Sequence, residues 1–199
     1  GGEARPEVLM VEASRPHRRI DEFKYFLHER FGLDSRRYEV SGEYELYLRI
    51  ADPGYEAVRA LVGGSPDTCW VIAHEFGGVC AVLRAILACH PRFRTAFYAH
   101  EMATSRLLVE DAPGHDLGFY GVLRLARQQG GFLGDFFGPQ EWYHKHALVS
   151  QAWRCDAVLA VGDRVVDELR FLGPEFANRR IDLVYNGVPA GWAGPDQRE

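Results

Sequence analysis

The chain reads Val71-Ile72-Ala73-His74-Glu75-Phe76 in its first half, and this stretch sets a pattern that recurs three times. In each case a short apolar run, as long as a buried strand, changes abruptly to polar or glycine residues. The later stretches are Phe97-Tyr98-Ala99-His100-Glu101, Val158-Leu159-Ala160-Val161-Gly162-Asp163 and Asp182-Leu183-Val184-Tyr185-Asn186-Gly187-Val188. Helix-like segments lie between them, so the alternation predicts an α/β domain with a mostly parallel sheet.

Hydrophobic periodicity and turn residues predict the bounds of the other elements. A first helix runs from Ile20 to Phe31 and ends at Gly32; a second begins near Ser41, is interrupted at Pro53-Gly54 and resumes from Tyr55. We expect further helices at 79–89, 140–155 and 163–172, and strands at 8–13, 69–73, 95–99, 157–161 and 181–185. Loops are expected at 63–67 and 111–116, and the segment 102–133 has no single clear pattern.

Composition limits the class of protein. The 199 residues are 47% hydrophobic and 26% charged, which is typical of a globular domain with a substantial core. The net charge of -5 and the scattered arginine pairs argue against a nucleic-acid partner. No apolar run reaches the ~18 residues of a transmembrane helix. The four cysteines form no C-x-x-C pattern, so we expect free thiols, a reducing compartment and a cytoplasmic location.

Two His-Glu pairs follow neighbouring strands of the predicted sheet. In an open parallel sheet ligands bind outside the carboxyl ends of the strands, so His74-Glu75 and His100-Glu101 are predicted to form one site. Imidazole can hydrogen-bond a sugar hydroxyl or accept a proton, and a carboxylate can bind two hydroxyls. Gly77-Gly78 would let a ligand approach the backbone at a helix N-terminus, where anions bind. The alternative is that His74 only satisfies a loop carbonyl.

Several familiar sites are absent from the sequence. Gly78 occupies the position that a second histidine would need in H-E-x-x-H, so a zinc protease is excluded. Metal binding by His74 and His100 is conceivable, but no further spaced ligand is evident. No G-x-G-x-x-G or G-x-S-x-G follows a strand, which argues against a dinucleotide site and a serine hydrolase. His144 and His146 lie two apart on a predicted helix and are interpreted as structural or surface residues.

The order of these motifs resembles the N-terminal half of GT-B glycosyltransferases, most of all glycogen and starch synthases. Where the family's strands end in His-Asp/Glu-Trp and Thr-x-His, this chain has His74-Glu75-Phe76 and Tyr98-Ala99-His100. The family's helix from Tyr-His to Ala-Asp matches Tyr143-His144 through Cys155-Asp156, and its Thr-Val-Ser matches Ala160-Val161-Gly162. Its Pro-Asn-Gly-Val hinge matches Tyr185-Asn186-Gly187-Val188. The resemblance covers about residues 65 to 190.

The resemblance implies a Rossmann-like three-layer domain that forms one half of a GT-B fold. Residues 1–190 would be the acceptor-side domain, and residues 191–199 a linker toward a missing C-terminal Rossmann-like domain. The implied activity is retaining transfer of a sugar from a nucleotide-sugar donor, such as UDP- or ADP-glucose, to a glycan acceptor. No metal or other cofactor is implied.

The resemblance also assigns roles to individual residues. His100 would be catalytic, in contact with the transferred sugar. His74 and Glu75 would hold substrate hydroxyls. Further substrate contacts are expected from the remaining candidate residues, which are Gly77, Gly78, Glu101 and Asn186. The diphosphate clamp would come from the missing half, so the chain alone is predicted to be inactive.

The chain departs from the family at Phe76, Gly162 and Glu101, where Trp, Ser and Asn or Ala are usual. The glycine-rich loop that approaches the donor phosphates is not found. Two alternatives therefore stay open. The first is a non-catalytic module that binds glycan or protein, and the second is a small α/β hydrolase that uses His74, His100 and the carboxylates, with or without a metal.

Overall fold

The structure, a computed structural model, describes residues 19–62 and 67–187 together with Val8, Met10 and Glu12. These residues form nine α-helices and four strands. The helices are α1 (Ile20–Phe31), α2 (Gly42–Val62), α3 (Val79–Ala88), α4 (Ala103–Asp111), α5 (Asp116–Gln129), α6 (Leu133–Phe137), α7 (His144–Val149), α8 (Asp163–Leu172) and α9 (Pro174–Ala177). The strands are β1 (Cys69–His74), β2 (Phe93–Ala99), β3 (Ala157–Ala160) and β4 (Asp182–Leu183).

Some predictions fall on parts of the chain that the structure does not describe. The expected strand at 8–13 lies mostly outside the described residues, and so does the loop at 63–66. Val188 of the hinge-like motif and the expected linker at 191–199 lie outside them as well.

The sheet is all-parallel, with strand order β1-β2-β3-β4. This confirms the predicted α/β class and is consistent with a Rossmann-like three-layer domain. Each strand pairs with the next along the chain. Helices α1, α2, α3, α7 and α8 contribute buried residues to the main core, which includes Ala73, Phe97 and Val158 of the sheet. On the opposite face Trp70 and Ile72 remain 51% and 53% exposed.

Elements with strong local signals form as predicted. Helix α1 ends at Gly32, which adopts φ 71° and donates its N–H to the His28 carbonyl. Helix α8 begins at Asp163 and ends at Leu172, the predicted bounds. The first three strands begin and end within two residues of the prediction. The unclear segment 102–133 contains α4 and α5, which meet at the predicted break around residues 112–115.

The predicted interruption of the second helix is wrong, since α2 continues through Pro53. A proline in a helix interior costs about 3 kcal/mol, so tertiary contacts must offset it. Arg84 of α3 supplies them on both sides of the proline. Its guanidinium donates to Asp52 at 2.6 Å and to Glu56 at 2.8 Å, which ties both halves of the helix to the same neighbour.

The predicted helix at 140–155 is also wrong, because only the six residues of α7 are α-helical, with a 3-10 turn at Ala152–Arg154. The side-chain amide of Gln140 donates to the carbonyls of Phe137 and Gly138 and holds the preceding chain in a turn. The last strand is shorter than the predicted 181–185. Val184 still donates its N–H to Ala160, but its carbonyl accepts the Tyr98 hydroxyl at 2.5 Å.

The described helices include none with both the length and the apolar character needed to cross a bilayer.

Candidate functional site

The carboxyl ends of β1 and β2 bring the two predicted histidines together. His74 is the last residue of β1 and lies beside Tyr98 in the register of the sheet, while His100 follows β2. The two imidazole centroids are 5.1 Å apart, with 29° between the ring planes. The Tyr98 ring lies 4.3 Å from the His100 ring and 5.3 Å from the His74 ring. Parallel pairing of adjacent strands therefore produces the contact that the sequence predicts.

The two histidines differ in their access to solvent. His74 is exposed, whereas His100 is half-buried. The Nε2 atom of His100 is buried, and no described residue provides it with a hydrogen-bond partner. A buried ring nitrogen without a partner can donate or accept one hydrogen bond, depending on its tautomer. The ring of His74 is therefore open to a ligand, whereas His100 presents only part of its ring to solvent.

Glu75 occupies an unusual backbone conformation directly after β1. Its φ of 57° and ψ of -174° lie in a region that glycine normally occupies. Its carboxylate Oε1 accepts the backbone N–H groups of His100 at 2.5 Å and Glu101 at 2.9 Å. Oε2 is buried and has no partner among the described residues. Burial raises the pKa of Glu75 above 4.5, against the opposing effect of the two N–H groups. One oxygen is thus committed to the protein backbone.

Gly77 and Gly78 form the end of a 3-10 turn that leads into α3. A Cβ atom on Gly78 would lie 2.6 Å from the Ala73 Cα, and one on Gly77 would lie 3.3 Å from the Tyr47 ring. Both glycines therefore meet atoms of the protein itself. Close packing of α3 against β1 accounts for Gly78 without a ligand, which is a reason that the sequence pattern alone did not reveal.

A polar and aromatic cluster covers this turn, and local sequence gave no signal of it. Glu43 of α2 accepts hydrogen bonds from the Tyr47 hydroxyl at 2.6 Å and from His144 Nε2 at 3.2 Å, and it pairs with Lys145 Nζ at 3.1 Å. The Lys145 ammonium also lies 4.4 Å from the centre of the Phe76 ring. These contacts join α2, α7 and the turn after β1, which are far apart in sequence.

The pair His144 and His146 is structural, as its spacing indicated. His144 contacts Glu43, and burial lowers its pKa despite that carboxylate. His146 is 6% exposed and pairs through Nδ1 with the Thr104 hydroxyl at 3.1 Å. Burial lowers the pKa of His146 as well, so the neutral form is favoured.

The side chains of the remaining candidate residues have no contact with the two histidines among the described hydrogen bonds and ring contacts. Glu101 is exposed, and its carboxylate lies 3.4 Å from the Arg106 guanidinium, an exposed pair of small energetic value. Asn186 is exposed after β4, three strands from β1, or about 14 Å across the sheet. Asn186 therefore shares the edge of the sheet but not the immediate surroundings of His74.

A buried acid adjoins this edge between α4, α5 and α8. Glu168 is 5% exposed, and its carboxylate accepts the Tyr120 hydroxyl at 2.5 Å. The Arg164 guanidinium lies over the Tyr120 ring, 4.7 Å from its centre. Burial raises the pKa of Glu168, and the Tyr120 hydrogen bond offsets only part of that effect.

We expect Glu168→Gln to stabilise the chain near neutral pH and to change little in mild acid. The folded carboxyl binds its proton more tightly than the unfolded one, so stability falls as the pH rises from 4.5 through the raised folded pKa. Glutamine keeps an acceptor for Tyr120 and never ionises. Urea unfolding of both proteins at about pH 4 and about pH 7 measures the difference. A variant that is less stable at both pH values would contradict the prediction.

No protein-family model matches this chain, and no curated protein matches it. A proposal for its function therefore depends on the geometry at the edge of the sheet and on the order of the sequence motifs.

Proposed function

We propose that this chain is the acceptor-side half of a retaining GT-B glycosyltransferase similar to glycogen and starch synthases. The complete enzyme would move a sugar from a nucleotide-sugar donor, such as UDP- or ADP-glucose, to a glycan acceptor. The observation that carries the proposal is the contact of the His74 and His100 rings at the carboxyl edge of a parallel sheet. The matching order of motifs supports it, because the family places its histidines on the corresponding strands.

The proposed chemistry depends on position more than on proton transfer. His100 would contact the transferred sugar with the accessible part of its half-buried ring, while the exposed ring of His74 would face a hydroxyl. Orientation of the two substrates and stabilisation of charge on the departing phosphate would supply the rate enhancement. We place the groups that bind the diphosphate in a second Rossmann-like domain, so the 199-residue chain by itself would have no transferase activity.

We expect His100→Ala in the full-length enzyme to lower kcat at least about tenfold, since a contact made only in the transition state is lost. Transfer from UDP- and ADP-glucose to glycogen is the assay. His28→Ala is the matched control, because His28 is exposed on α1 and its ring pairs with the exposed Glu29. Unfolding curves should agree for both variants, because the contacts removed lie at the surface or the edge of the sheet.

The outcomes separate the proposals. An unchanged kcat in the His100 variant removes His100 from the catalytic site. A full-length protein with no transfer activity favours the second candidate, a non-catalytic glycan- or protein-binding module. Trp70 and Ile72 support that candidate, because they are half-exposed on the sheet face opposite the main core in the described part of the chain, whereas parallel sheets are normally covered on both faces.

We also propose a cytoplasmic location. All four cysteines are free, as thiols in a reducing compartment would be.

A further inference from the structure

The backbone at Glu75 is strained, and the contacts of its side chain account for the strain. A left-handed φ of 57° at a residue with a Cβ persists only where the surroundings over-determine it. The Glu75 N–H still donates to the Tyr98 carbonyl at 3.1 Å and so extends the pairing of β1 with β2. The chain must then turn sharply into α3, which directs the carboxylate back across the end of β2.

The carboxylate takes over the role of a backbone acceptor at that point. Strand β2 ends at Ala99, which pairs with Ala160 of β3, and the next two N–H groups belong to His100 and Glu101. Both donate to the same oxygen of Glu75. Hydrogen bonds to a charged acceptor are stronger than neutral ones, so the turn after β2 is held firmly.

The turn that carries Glu75 is itself clamped from the other side. Phe76 packs against Tyr47, with ring centroids 6.2 Å apart, and lies beneath the Lys145 ammonium. Gly78 fits closely against Ala73. These contacts restrain the turn at Phe76 and Gly78, so the carboxylate is held in place relative to β2.

We propose that Glu75 is a positioning residue: its carboxylate fixes the backbone at His100 and Glu101 and so holds the His100 ring against His74 and Tyr98. This role differs from binding substrate hydroxyls with both carboxylate oxygens. Its consequence for sugar transfer rests on the proposed function, whereas the contact with the two N–H groups does not.

The contact can be tested in the chain as it stands by NMR. The amide protons of His100 and Glu101 should shift together as the Glu75 carboxyl titrates, with a shared midpoint above 4.5. Other titrating groups here are His74, His100 and Glu101. The ring resonances of the two histidines report their own contribution separately, and Glu101→Gln removes that of Glu101. In Glu75→Gln the shared transition should vanish. Amide shifts that do not follow Glu75 would overturn the proposal.

Hydrogen exchange gives a second measurement, with a variant chosen to keep the backbone conformation. Glycine adopts φ 57° without strain, so Glu75→Gly removes the carboxylate while the turn can still form. Amide exchange at His100 and Glu101 should speed up by about tenfold or more, with no matching change in the centre of β2. Unchanged exchange at these two positions would contradict the inference.

The full-length enzyme distinguishes positioning from hydroxyl binding. Glutamine keeps one carbonyl oxygen for both N–H groups, so the loss of kcat in Glu75→Gln should be at least about tenfold smaller than in Glu75→Gly. Glu75→Gly should lose about 100-fold, the cost of a displaced reacting group. Equal losses in both variants would show that the charge itself is needed. If neither the wild-type enzyme nor any variant transfers sugar, the proposed function fails. The amide measurements still test the positioning role in that case.

Discussion

Gly78→Ala is expected to destabilise the chain by about 3 kcal/mol, the upper part of the range for overpacked sites. The backbone at Gly78, with φ -84° and ψ -11°, suits any residue, so conformational strain contributes nothing. The loss of stability comes only from steric overlap. A new Cβ would lie 2.6 Å from the Ala73 Cα and 2.9 Å from its Cβ. These atoms cannot rotate away, so α3 would have to retreat from β1 and disturb the turn that carries Glu75.

Gly121→Ala is the matched control. Gly121 lies in the interior of α5, and a Cβ there would meet nothing within 4 Å. Alanine should stabilise this helix by about 0.5 to 1 kcal/mol, because alanine loses less backbone conformational entropy on folding than glycine does. Urea unfolding followed by circular dichroism compares the two variants. If Gly78→Ala were as stable as wild type, the close packing of α3 on β1 would be wrong.

Arg84→Met should cost about 3 kcal/mol, because it leaves a buried carboxylate without its main partner. Asp52 is 4% exposed, and the Arg84 side chain is 11% exposed. The Arg84 guanidinium also bonds Glu56 and lies 4.6 Å from the centre of the Tyr55 ring, so it joins α2 to α3 around Pro53. Methionine preserves most of the aliphatic stem, and the loss therefore reports the charge and its hydrogen bonds.

Arg127→Met provides the comparison at the surface. Its guanidinium lies 3.3 Å from Asp167, but the two side chains are 71% and 40% exposed. The expected change is within about 0.5 kcal/mol. Adding Asp52→Asn to Arg84→Met should recover part of the loss, since it removes the buried charge that has lost its bond to Arg84. Similar small effects for Arg84 and Arg127 would mean that the buried pair does not hold α2 together across its proline.

The comparison of α1 with α2 shows how far local sequence determined the fold. Helix α1 has regularly spaced apolar residues and a glycine at its end, and its bounds follow from that pattern. Helix α2 contains Pro53, which local rules treat as a break. Only the tertiary structure supplies Arg84, whose two hydrogen bonds span the proline. A contact between helices that are distant along the chain outweighed a local preference.

In the candidate site, too, some features follow from the sequence and others depend on tertiary packing. The sequence by itself determined that His74 and His100 meet, because two apolar strands followed by histidines must share an edge when they pair in parallel. It did not determine that Glu75 binds the backbone after β2, that Gly78 packs too closely on Ala73 to carry a Cβ, or that Lys145 lies over Phe76. Those contacts depend on the path of the chain between elements. Strand and helix periodicity is local, whereas side-chain partners are chosen only when the elements pack.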